Sequence, residues 1–401
     1  MPGAPRLPQT PVLSRRALLG AGALGAMALA SCSSAGSGSS GSAATAVAPG
    51  TTGSAPSGPS SSGPTSPAAP AGRAALSEPT DVATGLAVPW SGAVLPDGSV
   101  LVSERDTARV KRIPAGGGAI ETVGTVEGVD PGGEGGLLGL AVDAATFGAR
   151  GVLYAYATTG SDNRVVRIAL DGGRFGTQTP ILTGIPKGNI HNGGRLKFGP
   201  DGFLYVTTGE TGQTGNSQNP QSLAGKILRV TTSGEAAPGN PTAGSRVWSL
   251  GHRNVQGIAW GAGGRMWASE FGQNTWDELN VITPGANYGW PTVEGVAGRS
   301  GFVDPVRQWS TDEASPSGIC VGPDGAVLMA ALRGQGLWKV PVNGDGSTGE
   351  PEKLLDGEYG RLRDVFIGPD GNVWVITNNT SRGQVRDGDD RVVKLPQSLT
   401  G

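Results

Sequence analysis

Cysteine and histidine are scarce in this chain, with two of each among 401 residues. Cys32 ends an N-terminal segment that resembles a targeting signal, and Cys320 lies in the short apolar run 318–321. A cysteine in such a run behaves as a small hydrophobe, so we expect Cys320 to be a core residue. If Cys32 is modified, the two cysteines cannot pair, which excludes a disulfide framework.

An excess of basic residues is also absent. Lys and Arg number 31 against 33 Asp and Glu, which gives a formal net charge of −2. Basic residues form no long cluster in the sequence, so nucleic acid is not an expected partner. Helical periodicity is rare in the body of the chain, which favours an all-β fold.

The first 32 residues are predicted to be a Tat-type lipoprotein signal peptide and not part of the fold. Ser14-Arg15-Arg16 precedes an apolar run, residues 17–30, that is too short for a comfortable membrane span. The twin arginine indicates export by the Tat route. The run ends in Leu29-Ala30-Ser31-Cys32, which resembles a lipoprotein cleavage box with Cys32 as the lipidated residue. The alternative is an ordinary secretory signal cut near Ala30.

Residues 33–72 are almost wholly Ser, Gly, Ala, Pro and Thr, without a charged residue. Such a segment cannot bury enough apolar surface to offset its ordering entropy, so it is predicted to be a disordered linker. Its reach as a flexible coil is on the order of 35 Å. We therefore expect an exported protein, anchored to the outer face of the cell membrane through Cys32, with its folded domain in residues 73–401.

Seventy glycines and thirty prolines make up a quarter of the chain, and many of them belong to a repeated turn. The turn precedes a short apolar run, as expected for a hairpin. Six copies at intervals of roughly 45 to 60 residues indicate one sheet per copy. The prediction is a six-bladed β-propeller with about four antiparallel strands per blade; a pair of β-sandwiches is the alternative. The copies begin at Leu95, Phe147, Gly199, Gly261, Gly322 and Gly368.

Several loops between these hairpins are more polar than the repeat requires. Both histidines, His191 and His252, lie in Gly- and Arg-rich stretches instead of apolar ones, which marks them as candidates for chemistry. Arg361 and Arg363 alternate, so they are expected on one face, where two like charges favour an anionic ligand. The oxygen-rich stretch 269–291 has side chains and carbonyls suited to Ca²⁺, although it lacks EF-hand spacing.

These stretches resemble, in order, the soluble pyrroloquinoline-quinone (PQQ)-dependent glucose and aldose sugar dehydrogenases. The likeness covers about residues 78–395, and the chain is also similar to exported actinobacterial lipoproteins that carry such a domain behind a Ser/Pro tether. The blocks that carry the resemblance are His191-Asn192-Gly193-Gly194-Arg195, residues 199–202, residues 222–229, Gly251-His252-Arg253-Asn254, residues 277–291 and Arg361-Leu362-Arg363-Asp364-Val365.

The resemblance implies a role for each matching residue. His191 corresponds to the general base that takes the proton of the sugar C1 hydroxyl, and Arg253 to the arginine that stabilises the reduced quinone oxygen. A sugar substrate, an electron acceptor, PQQ and Ca²⁺ are implied with them. Cofactor contacts are expected from Glu134, Asn254, Arg333, Arg361 and Arg363. The catalytic Ca²⁺ is expected on the carbonyls of Gly272 and Gln273, and a structural Ca²⁺ on Asp277, Glu278 and Tyr288.

Four positions depart from the glucose dehydrogenase pattern. Ile190 replaces an acid immediately before the base, so no carboxylate adjacent in sequence orients the imidazole. Glu134 replaces a glutamine, Arg333 replaces a lysine, and Gln273 replaces a proline. The retained base and arginines favour an enzyme that oxidises the C1 hydroxyl of an aldose to the lactone.

Two other functions compete with this interpretation. Ile190 and Glu134 favour a non-catalytic propeller lipoprotein that binds a ligand or protein partner in the cell envelope. A metal-dependent lactonase would require a converging Glu, Asn and Asp set, which the sequence does not show.

Overall fold

The computed structural model describes residues 78–145, 147–148 and 151–400. The predicted signal peptide, the predicted linker, Cys32 and the first residues of the predicted domain lie outside the described residues. The described residues form one compact unit that consists mainly of strands. No helix in the described part of the chain is both long and apolar enough to cross a membrane.

In the described part of the chain, twenty-four strands form six four-stranded antiparallel sheets, so the six-bladed propeller is confirmed. Blades 1 to 5 each take four consecutive strands: β2–β5, β6–β9, β10–β13, β14–β17 and β18–β21. Blade 6 has the order β1-β24-β23-β22. Its outermost strand therefore comes from the beginning of the domain, and pairs Thr80 with Lys394 to close the ring.

The strand bounds follow the blades. Blade 1 holds β2 Pro89–Val94, β3 Val100–Glu104, β4 Arg109–Ile113 and β5 Glu121–Thr125, and blade 2 holds β6 Leu137–Val142, β7 Gly151–Thr158, β8 Asn163–Asp171 and β9 Arg174–Ile185. Blade 3 holds β10 Leu196–Phe198, β11 Leu204–Thr207, β12 Lys226–Val230 and β13 Val247–Leu250, and blade 4 holds β14 Val255–Trp260, β15 Met266–Glu270, β16 Trp276–Ile282 and β17 Arg307–Ser310. Blade 5 holds β18 Pro316–Val321, β19 Val327–Ala331, β20 Gly336–Val340 and β21 Glu352–Leu354, and blade 6 holds β22 Leu362–Ile367, β23 Val373–Thr377, β24 Val392–Lys394 and β1 Thr80–Ala83. Three single-turn helices, α1 Gly215–Gln218, α2 Asn379–Arg382 and α3 Gln397–Thr400, and the 3₁₀ turn Ala262–Gly264 complete the elements.

The repeated turn joins the first and second strands of each blade. In the blade 3 copy, the amide of Gly202 donates to the carbonyl of Gly199 at 3.0 Å. Gly202 has φ +77°, a left-handed conformation that costs glycine little because it has no Cβ. Gly325 and Gly371 make the same bond at the same place in their blades. Turn chemistry alone thus located the first hairpin of these blades.

Apolar clusters between neighbouring blades form the core. Val and Leu side chains of the second strands, such as Leu101 and Leu153, are almost fully buried in the cluster between blades 1 and 2. Cys320 is buried among the apolar residues between blades 5 and 6, as expected for a small core residue.

The centre of the ring is polar. Arg195, immediately before β10, donates through Nη1 to Asp364 Oδ2 at 2.8 Å and to Ser91 Oγ at 3.1 Å. Its Nε donates to the carbonyl of Gln256 at 2.8 Å, and its guanidinium lies 4.3 Å from the ring centroid of Trp90. These contacts connect the inner strands of blades 1, 3, 4 and 6 in what we call the axial layer. It divides the central channel into two cavities with no common lining residue.

We expect Asp364→Asn to lower the free energy of unfolding by about 3–5 kcal/mol, because it leaves the buried Arg195 charge without its partner. Denaturant unfolding measures this loss. Asp356→Asn is the matched control, since it breaks the more exposed Lys353–Asp356 pair of 2.6 Å and should cost less than about 1 kcal/mol. Equal losses in the two variants would contradict a structural role for the axial layer.

Candidate active site

The second cavity, which we call the mouth cavity, lies where the inner strands begin. It has a volume of about 320 Å³ and is strongly polar. Six arginines and two carboxylates line it, and they leave a surplus of positive charge that suits an anionic ligand. The charged lining residues are Arg105, Arg253, Arg333, Arg361, Arg363, Arg382, Glu134 and Asp277.

His191 lies in this cavity, as predicted. Its φ of +55° is unusual for a residue other than glycine and is held by neighbouring loops. The His191 amide donates to Glu134 Oε2 at 2.9 Å, and its carbonyl accepts from the amide of Thr211 at 3.2 Å. A Cβ on Gly209 would collide with the same carbonyl. Glu134 therefore fixes the backbone of the histidine, a use of this carboxylate that the sequence did not indicate.

The imidazole of His191 has a carboxylate partner that sequence reasoning missed. Nδ1 of His191 is hydrogen-bonded to Oε1 of Glu210, which is almost completely buried. This leaves Nε2 as the nitrogen available for a proton from a ligand. Ile190 is exposed beside the site and does not orient the ring. The orienting carboxylate that position 190 lacks is thus supplied by Glu210, from the loop after β11.

Arg253 reaches the cavity from the segment before β14. Its backbone amide donates to Glu270 Oε1, and its Nη1 donates to the carbonyl of Phe271 at 3.2 Å. Its guanidinium also lies 5.5 Å from the centroid of the Trp290 ring. Burial lowers the pKa of Arg253, although the nearby carboxylates oppose this shift.

His252, which the sequence marked as a candidate for chemistry, is not part of this site. His252 is fully buried behind Arg253 and does not line the mouth cavity. Its Nδ1 bonds Glu270 Oε2 and its Nε2 bonds Ser249 Oγ, both at 2.8 Å. The ring stacks on Tyr288 with centroids 4.7 Å apart. His252 thus holds the carboxylate that fixes the backbone of Arg253.

Arg361 and Arg363 both line the mouth cavity, so the predicted shared face is confirmed. Arg363 donates to Gln256 Oε1 at 2.8 Å and to Asn378 Oδ1 at 3.2 Å, which leaves its charge without a carboxylate partner among the described residues. Burial, followed by repulsion from Arg105 and Arg361, holds the pKa of Arg363 well below its usual value. An anion beside Arg363 would compensate both the burial of its charge and the repulsion from the neighbouring arginines.

Three guanidinium groups that line the mouth cavity have an unused donor. Within the described residues, the Nε atoms of Arg253, Arg361 and Arg363 are buried and have no hydrogen-bond partner. A buried donor without an acceptor costs about 1–3 kcal/mol. A ligand with several carboxylate or carbonyl oxygens would satisfy these donors, and the mouth cavity is shaped by residues of the right type to hold it.

Asn254 and Arg333, the two remaining residues predicted to contact the cofactor, lie in different parts of the site. Asn254 is buried in the cavity wall, and its Oδ1 accepts from the amide of Gly193 at 3.0 Å. Arg333 lies at the exposed rim, paired with Asp312 at 2.7 Å. Asn254 thus shapes the loop that carries His191, whereas Arg333 must leave its partner to contact a ligand in the cavity.

The carbonyls expected to hold the catalytic Ca²⁺ belong to the mouth cavity. Gly272 and Gln273 line it, and neither carbonyl accepts a hydrogen bond from the described residues. Asp277 also lines it and accepts from the amides of Gly272 at 2.9 Å and Ser315 at 2.6 Å. Burial raises the pKa of Asp277 to about 6. Two free carbonyls beside a buried carboxylate are oxygen donors suited to a hard cation.

The structure separates Asp277 from the other two residues expected at a structural Ca²⁺ site. Glu278 and Tyr288 line a small adjoining cavity together with Glu270 and Glu294. The Tyr288 hydroxyl donates to the carbonyl of Val281 and accepts from the amide of Thr283, so it is occupied. In the described part of the chain, no group of three or more Cys, His, Asp or Glu side chains has the arrangement of a metal centre.

Comparisons with known proteins agree with this geometry. The sequence profile of the Glucose / Sorbosone dehydrogenase family matches residues 86–386. The chain belongs to this family. The PQQ-bound aldose sugar dehydrogenase of Streptomyces coelicolor is 52% identical, covers 82% of this chain and 99% of its own, and superposes with a TM-score of 0.77.

Two further relatives extend the comparison. A putative oxidoreductase (glucose dehydrogenase) of Thermus thermophilus is 42% identical over 79% of this chain and 99% of its own, with a TM-score of 0.73. An aldose sugar dehydrogenase of Escherichia coli is 30% identical over 73% of this chain and 88% of its own. The resemblance to the PQQ-dependent glucose and aldose sugar dehydrogenases is therefore confirmed, and the chain is an oxidoreductase of the sugar dehydrogenase type.

We expect citrate, a tricarboxylate, to raise the melting temperature of the protein more than sodium chloride at equal ionic strength. Ligand at 100 times its Kd adds about 2.7 kcal/mol to stability, and each kcal/mol raises the melting temperature by roughly 2–4 °C. Arg361→Met combined with Arg363→Met should remove most of this gain. A gain unchanged in the double variant would place the anion elsewhere.

A second prediction concerns the small adjoining cavity that Glu278 and Tyr288 line. Burial and the carboxylate of Glu270 raise the pKa of Glu278 to about 8, above its unfolded value of about 4.3. The folded state then binds this proton more tightly, so the contribution of Glu278 to stability falls as pH rises towards 8. In chelator-treated protein, Glu278→Gln should gain stability relative to the parent from pH 5 to pH 8. A difference between the two proteins that is independent of pH would contradict this assignment.

Proposed function

We propose that this protein is a PQQ-dependent dehydrogenase that oxidises the C1 hydroxyl of an aldose to the lactone, with His191 as general base. The observation that carries the proposal is one cavity containing a carboxylate-oriented histidine and three guanidinium groups whose buried Nε donors are unused. Membership of the family and the PQQ-bound relative support the same chemistry.

The residues present fit PQQ because they offer unpaired cationic donors to a polycarboxylate. Arg361 and Arg363 would hold carboxylates of the cofactor, with Arg253 beside its reactive part. Bound PQQ would supply the redox chemistry by accepting a hydride from the sugar. Ca²⁺ on the carbonyls of Gly272 and Gln273 is part of the proposal, since these groups are free on the same wall.

His191 removes the proton of the C1 hydroxyl through Nε2. Glu210 holds the ring in the required tautomer and stabilises the imidazolium that forms. Arg253 places fixed positive charge where negative charge develops in the reaction. An electron acceptor outside the chain completes the cycle, and a lipid on Cys32 would keep the enzyme at the outer face of the membrane.

The decisive experiment adds PQQ and Ca²⁺ to the purified protein. Cofactor absorbance and aldose-dependent dye reduction should both appear. Cofactor binding without dye reduction on any aldose would instead favour the alternative, a ligand-binding propeller without turnover. Absence of cofactor binding at micromolar protein would exclude both PQQ and the proposed reaction.

We expect His191→Asn to reduce kcat by at least about 10²-fold, since general-base catalysis contributes typically 10²–10⁴-fold. Glu210→Gln should also lower kcat and should change its pH profile, because the amide cannot stabilise the imidazolium. Steady-state dye reduction measures both effects. Titration of PQQ absorbance is the control and should give unchanged affinity. A Glu210→Gln enzyme with parental kcat and pH profile would rule out the positioning role.

A further inference from the structure

The cavity on the other side of the axial layer, which we call the channel cavity, has no part in the proposed reaction. It has a volume of about 520 Å³ and is lined by residues of all six inner strands. Pro200, one of its lining residues, is exposed in a hairpin turn, so the cavity opens on the face opposite the mouth. Its volume lies within the range of small-molecule sites, roughly 300–1,000 Å³.

Of the described residues that line the channel cavity, one cation has no counter-charge. Its charged lining residues are Arg195, Lys197 and Asp364. Asp364 is already engaged by Arg195, and it also accepts from the amide of Gly92 at 2.9 Å. Among the described residues, Lys197 therefore has no carboxylate partner.

The ammonium of Lys197 has donors to spare. Its one hydrogen bond to a described residue runs to the carbonyl of Ile319 at 3.4 Å, which is long for such a bond. An ammonium carries three donors, so two remain available. Lys197 is partly exposed and lines the cavity, so a molecule in the cavity can reach it. Burial nevertheless lowers the pKa of Lys197, as expected for a cation that lacks compensation.

The walls around this ammonium are mainly apolar. Phe198, Trp260, Val321, Phe366 and Ile367 line the cavity. Burial of apolar surface contributes about 25 cal/mol for each Å² removed from water. A ligand with an apolar body would therefore gain affinity from the walls as well as from the charge.

We propose that the channel cavity is a binding site for a small organic monoanion, with one carboxylate on Lys197 and an apolar body against the strand walls. One carboxylate matches one ammonium, whereas a dianion would leave a second charge unpaired at low dielectric. The site lies apart from the mouth cavity and uses different residues, so it does not depend on the proposed sugar oxidation.

The test is isothermal titration calorimetry of the protein with octanoate. Saturable binding is expected, and 1-octanol and octylammonium, which share the chain but lack the anion, should bind at least tenfold more weakly. Lys197→Met should weaken octanoate binding at least tenfold. The matched control is Arg361→Met combined with Arg363→Met, which should leave octanoate affinity unchanged because these residues line the mouth cavity.

A third variant blocks the cavity while retaining the charge. Val94 lines the cavity near its open end, and Val94→Trp should prevent octanoate binding even if Lys197→Met fails to fold. The proposal is overturned if the parent protein gives no saturable heat up to millimolar octanoate. It is equally overturned if octanol binds as well as octanoate, or if the mouth double variant abolishes binding.

Discussion

The structure depends on how the polar centre of the ring is satisfied. Six inner strands converge on the axis, and their side chains must fill the channel or leave it open. Here Arg195 fills it by bonding groups of three other blades, with Asp364 as its counter-charge. Because both partners of this ion pair are buried, separating them is costly, and the contacts of Arg195 fix the relative positions of the blades. It also separates two cavities of different character: one rich in arginine, the other mainly apolar.

The chemistry of the mouth cavity follows from charge that the protein leaves uncompensated. Arg363 is buried among other cations, and three buried Nε atoms lack acceptors among the described residues. Such a site is unfavourable when empty and becomes favourable when a polyanion enters, which is how fixed charge is converted into affinity and orientation. His191, unlike these arginines, has carboxylate partners: Glu134 holds its backbone amide and Glu210 its ring. The backbone and ring of His191 are thus held in place, whereas the guanidinium groups keep donors for a ligand.

Much of the site could be predicted from the sequence, but its supporting contacts could not. His191, Arg253, Arg361 and Arg363 were identified because polar residues interrupt an apolar repeat in blocks typical of the family. Glu210 was missed because it follows a different strand, and only folding brings it to the imidazole. His252 was misjudged for the converse reason, since its Gly- and Arg-rich surroundings in sequence gave no sign that Tyr288 and Glu270 enclose it.

The sequence by itself determined the six-fold hairpin repeat, because turn conformation depends on a few adjacent residues such as Gly202 with its positive φ. It also determined which loops would be rich in arginine. Tertiary structure alone decided which of those loops meet and that Glu134 accepts a hydrogen bond from the backbone amide of His191. It also decided that Asp277 and Glu278 line different cavities. Adjacent residues of a strand point to opposite sides, and closure of the ring decides which other residues lie on each side.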